Sequence, residues 1–260
     1  MNLTLIALLL ALSLFVFMLV FIGVGRRIGI NHLRQRPDGL AKGTGASEGA
    51  VFGLLGLIIA FTFSGAATRF EARRHLVTEE VNAIGTAYLR IEVLPEDARV
   101  ELRSLFRRYL ELRIATYENV EDQAATLARL DETEALQGVI WSKAVIATQR
   151  PDTKGRPEGV VLPALNDMFD IVTTRKAATL NHPPRAVYLL LGVLCLVSAL
   201  LVGYGISSNT RRSWLHAVVF AAITSISIFV IIDVEYPRLG LIRVDSSDQL
   251  MRDLRKSIHE

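Results

Sequence analysis

The chain has 260 residues, 51% of them hydrophobic and 21% charged, with a net charge of +3. With a mean hydropathy of +0.35, this mixture fits apolar spans alternating with a charged domain better than one soluble core. The single cysteine, Cys195, excludes a disulfide within one chain, and the basic residues sit beside apolar runs or among acids, so no nucleic-acid partner is expected.

Leu3–Val24 is apolar apart from Thr4, Ser13 and Gly23. As a helix it covers roughly 33 Å, enough to cross the hydrocarbon core of a bilayer. It is too long for a signal-peptide core and has no basic residue before it, so it is expected to remain as an anchor. Residues Gly25–Glu48 carry Arg26, Arg27, Arg34, Arg36 and Lys42 among Pro37, Gly39, Gly43 and Gly45, and read as a basic, flexible surface loop.

Gly49–Arg74 organises the chain. No ionisable side chain occurs from Gly49 to Thr68, and Gly49, Gly53, Gly56, Ala60 and Ser64 recur at helical spacing. Such a stripe lets a second helix approach backbone to backbone. The pattern then runs without a breaker into Arg69, Phe70, Arg73 and Arg74, which predicts a membrane helix continuing as a charged helix beyond the bilayer.

Four further helical segments are expected between residues 69 and 185. Val77, Val81, Ile84, Tyr88 and Ile91 mark one face as far as Pro95. A second helix starts at Glu96–Asp97, acids that favour a helix N-terminus, and a third covers roughly residues 121–149. A proline- and glycine-rich loop from Arg150 to Gly159 precedes a fourth helix after Pro163, which stops at Asn181–Pro184. No segment alternates with period two, so a helical bundle is expected and a sheet is not.

Spans three and four are Ala186–Ile206 and about Trp214–Ile232, with Ala217, Ala221 and Ser225 repeating the small-residue stripe. The tail ends in a short amphipathic helix. The fold expected is therefore an all-α integral membrane protein with four spans and a helical extramembrane domain inserted between spans two and three. Its parts are residues 1–68, 69–185, 186–233 and a polar tail, 234–260. The connectors hold Arg26, Arg27, Arg34, Arg36, Lys42, Arg211 and Arg212, which leans towards connectors in the cytoplasm of a bacterial inner membrane.

GLLGLIIAFTFSGAATRFEARR followed by EEVNAIGTAYLRIEVLP resembles the bestrophin-like domain family of bacterial membrane proteins, whose function is not established. The tail pattern Asp233-x-Glu235-x-Pro237-Arg238-x-Gly240 is also similar to that family's ending. A further likeness to bestrophins, pentameric anion channels, rests on the four spans, the phenylalanine-rich second helix and the helical domain between spans two and three. It implies a channel with the middle domain in the cytosol, opposite to the charge lean; the acidic calcium-binding cluster of bestrophins has no counterpart here.

Phe52, Ile59, Phe63 and Phe70 share one helix face and are candidates to line a pore, where apolar rings gate by dewetting. The plainer reading is lipid-facing or packing phenylalanine. Arg69 and Arg73, one turn apart beyond the span, are candidates to attract anions; alternatively they snorkel or pair with acids. Asp233 and Glu235 are read as a structural acid pair that ties helix ends through Arg238, Arg69 or Arg73. Glu79, Glu80 and Asn82 are candidates for cation binding; the plainer reading is a solvated face or interhelical salt bridges. The five histidines are scattered, no nucleophile or phosphate-loop motif is present, and neither an enzyme, a metal nor a cofactor is expected. The lipid bilayer and further copies of the chain are the expected partners. A protein partner of the helical domain is the alternative, with the chain acting as a non-conducting scaffold or sensor.

Overall fold

A computed structural model describes residues 3–35, 44–118, 122–208, 213–237, 240–242 and 245–258. All regular structure among them is helical: α1 (Leu3–Gln35), α2 (Thr44–Arg90), α3 (Glu96–Glu118), α4 (Gln123–Thr148), α5 (Glu158–Leu180), α6 (Arg185–Gly205), α7 (Ser213–Glu235) and α8 (Asp245–Ser257). Four helical segments are long and apolar enough to cross a membrane. The chain divides into two compact units, residues 1–69 with 182–242 and residues 70–181 with 243–260.

In the first unit α1 packs along α6 and α7. Met18, Ile22, Leu55, Leu191, Cys195, Ala199, Ala217 and Ala221 form its buried core. Contact is closest where glycine removes the side chain. A Cβ on Gly25 would overlap the Leu200 carbonyl oxygen, and one on Gly203 would overlap the Ile22 carbonyl oxygen and come within 2.7 Å of its carbon.

These glycines explain a difference from the sequence expectation. The basic loop expected from residue 25 is helical as far as Gln35, and α2 begins at Thr44. Gly25 and Gly29 are packing positions of α1 against α6 and its following turn, not turn residues. The first proline, Pro37, comes only after the helix has ended. Arg36, Lys42, Arg211 and Arg212 of the connectors lie outside the described residues.

The second unit is a bundle of the distal part of α2 with α3, α4, α5 and α8. Its core contains Ile84, Ile91, Leu102, Phe106, Leu110, Ile140, Leu165 and Met168, with Met251 and Ile258 contributed by the tail. α2 closes with a 3-10 turn at Ile91–Val93, and Leu94 is extended because Pro95 follows. Asp122 caps α4, its carboxylate accepting the Ala125 N–H at 3.0 Å.

α5 begins at Glu158 and not after Pro163. Proline there removes a single donor, the one that would reach back to Gly159, whose exposed carbonyl water can satisfy. The amphipathic tail helix is present as α8 and is fastened to α3 by Arg255, which bonds Glu111 at 2.6 Å.

Candidate functional site

α2 is a single 47-residue helix, and its membrane part has two unlike faces. Leu55, Thr62 and Ala66 are buried within the chain. Gly49, Gly53, Gly56, Ala60 and Ser64 are all exposed, and a Cβ on any of the three glycines would meet nothing within 4 Å. The corresponding stripe on α7 is used differently: Ala217, Ala221 and Ser225 are buried, and Ser225 Oγ lies 3.9 Å from Met18 Sδ of α1. One small-residue stripe therefore closes the chain's own bundle, and the other is left open.

The phenylalanine face borders the open stripe. Phe52 meets Phe220 of α7 edge-on with ring centres 6.0 Å apart, and Ile59 packs at the margin of the membrane core. Phe63 is 45% exposed, and Phe70 is half-buried.

Just past the span, Arg69 Nε donates to both carboxylate oxygens of Glu235, at 3.1 Å to Oε1 and 3.0 Å to Oε2, and Nη2 donates to Oε2 at 2.6 Å. Glu235 is fully buried, and its Oε1 also lies 2.9 Å from His182 Nδ1. The His182 ring rests on Tyr236, with centres 4.8 Å apart. Asp233, two residues earlier, accepts the N–H groups of Leu241 and Ile242, both at 2.8 Å. Its side chain occupies the space a Cβ on Gly240 would need, which accounts for the glycine in the tail pattern. Arg73 donates to the carbonyls of Ala178 and Asn181 at the end of α5, each at 3.0 Å.

The sequence matches the Bestrophin-like domain over residues 12–249. The chain belongs to the Bestrophin-like family. It is an integral membrane protein by that membership and its four apolar helices. No curated protein matches it. Among solved structures, a variant of a bacterial Bestrophin homologue from Klebsiella pneumoniae is similar at a TM-score of 0.69 and 17% identity, over 94% of this chain and 98% of that one. A second structure of that homologue gives 0.67 and 16%, over 93% and 98% of the two chains. A structure described as a membrane protein variant gives 0.70 and 16%, over 95% and 99%. At these identities the likeness concerns the fold. The family resemblance carried by Gly53–Arg74, Glu79–Pro95 and the tail pattern thus led to the right family.

The second unit of this Bestrophin-like protein holds a buried cluster around Glu80, for which the sequence left a solvated face and interhelical salt bridges both open. Glu80, fully buried, accepts from Arg113 Nε at 2.5 Å and from Arg175 Nη1. Arg113 Nη2 donates to the Tyr117 hydroxyl at 2.8 Å, and the Arg175 guanidinium stacks on the Tyr117 ring at 3.9 Å. Burial pushes the Glu80 carboxyl up, but the charges and hydrogen bonds of the two arginines outweigh it and hold the group below the usual carboxylate value. A signal was available: Glu80 stands three residues after Val77 and four before Ile84, both buried. Glu79 lies off that face, exposed and 3.2 Å from His75. Among the described residues no group of three metal-ligating side chains occurs.

Proposed function

We propose that this Bestrophin-like protein is an oligomeric anion-permeation module in which α2 of each copy faces a common axis. The observation that carries the reading is the face of Gly49, Gly53, Gly56, Ala60 and Ser64, built for close helix approach and left uncovered by the chain itself. Phe52, Ile59, Phe63 and Phe70 flank it and would form apolar constrictions, with Phe63 the most open of them in the membrane span. Arg69 and Arg73 follow the span; the charge of Arg69 is matched by Glu235, so Arg73 would carry most of any preference for anions.

The test is purified protein in planar bilayers under a salt gradient. Anion current is expected, and Arg73→Glu should lower or reverse the anion preference. Arg69→Glu would in addition break the tie to Glu235, so it reports on assembly as well as charge. A well-folded oligomer that passes no current would overturn the proposal.

A second reading has its own observation. Val139 and Ile146 lie seven residues apart on one face of α4, 45% and 63% exposed, an apolar strip suited to a protein partner. In that case the chain is a membrane scaffold. Val139→Glu with Ile146→Glu should then abolish recovery of a partner in pull-down while leaving any current unchanged; unchanged recovery would remove this reading.

A further inference from the structure

The buried cluster of the second unit is unbalanced. It contains two guanidinium groups, Arg113 fully buried and Arg175 5% exposed, against the one carboxylate of Glu80. Among the described residues one positive charge is left over, in a place where an uncompensated ion is costly.

Two hydrogen-bond donors are also unused. Arg113 Nη1 is buried with no partner among the described residues, although Nε and Nη2 of the same group are engaged. Tyr109, one helical turn earlier on α3 and fully buried, accepts from Gln137 Nε2 at 3.3 Å, and no acceptor for its own proton occurs among the described residues. Tyr109, Arg113 and Tyr117 step along one face of α3 at intervals of four, so the spare donors and the spare charge are on the same side of the helix.

We propose that the Tyr109–Arg113–Arg175 cluster binds a small monovalent anion. A single charge matches the excess, and the spare N–H and O–H are donors with no acceptor to compete. A water molecule would satisfy the donors but leave the charge uncompensated. A large or doubly charged anion would demand more donors than the enclosed site offers. The site is in the aqueous helical unit and does not depend on the permeation reading, so protein that carries no current can still bind the ion.

The experiment uses full-length protein in detergent at fixed pH and ionic strength, with gluconate exchanged for chloride or bromide. The melting temperature should rise by about 3–6 °C for each tenfold increase in halide above the dissociation constant. Crystals grown in bromide should show an anomalous peak within hydrogen-bond distance of Arg113 Nη1. Arg175→Met leaves one arginine to one glutamate and should abolish the halide response. A flat melting response in the wild type, a bromide peak elsewhere with none at Arg113, or an undiminished response in the variant would each overturn the site. Should Arg175→Met not fold, the bromide map of the wild type decides.

Discussion

Glu80→Gln is expected to destabilise the helical unit by about 3–5 kcal/mol, since it strips two buried arginines of the carboxylate they share. Total stabilities of roughly 5–15 kcal/mol leave little margin for such a loss, so much of the variant population should be protease-sensitive in residues 70–181 at ordinary temperature. Limited proteolysis and denaturant unfolding of the detergent-solubilised protein check it. The pH dependence has a definite sign. The carboxyl of Glu80 is held below its ordinary value in the folded chain, so its contribution is fully present above that value and is lost as pH falls through the folded-state one. The wild type should lose stability across that acidic window, and Glu80→Gln should lose less. Replacing Glu80, Arg113 and Arg175 together by methionine should recover most of the loss, because an apolar cluster of similar volume carries no ion to compensate.

Gly203→Leu is the second large effect. The position opposite is not a side chain that can rotate away but the Ile22 backbone, so any Cβ forces α6 off α1. Overpacking that side chains can absorb costs about 1–3 kcal/mol. Here the whole helix pair must separate, and the expected loss exceeds that range. The membrane unit should fail to assemble, seen as aggregation on extraction and early unfolding by circular dichroism. Gly53→Leu is the control: its Cβ meets nothing within the chain, so the monomer should fold normally. On the permeation reading it should lose self-association, measured by light scattering after gel filtration. A Gly203→Leu protein indistinguishable from wild type would mean that α1 and α6 do not touch as described.

The contrast between these glycines shows how far the sequence could be read. Both occupy membrane helices with other small residues nearby, and spacing alone ranked Gly53 as the packing residue. The structure buries Gly203 and Gly25 and leaves Gly53 open, because α1 approaches α6 where two backbones can meet. The Gly25–Gln35 stretch was misassigned for the same reason, since glycine and arginine beside an apolar run look like a turn until a partner helix fills the space. For Glu79 and Glu80 the sequence left a solvated face and interhelical salt bridges both open; the structure gives the first to Glu79 and the second to Glu80, because the buried face of α2 passes through Glu80.

The sequence by itself determined the helical class, the four apolar spans, the unbroken run of α2 past its apolar stretch and the family. Each of these follows from local chemistry: hydrocarbon accepts only uncharged, internally bonded backbone, and the starts and stops of helices are carried by residues close in the chain. Only the tertiary structure decided which small-residue stripe is closed, that Arg69 and His182 meet on Glu235, and that Arg113 and Arg175 converge on Glu80. Those partners lie from 33 to 166 residues apart. Periodicity reports which way a side chain faces on its own helix, but not what stands opposite.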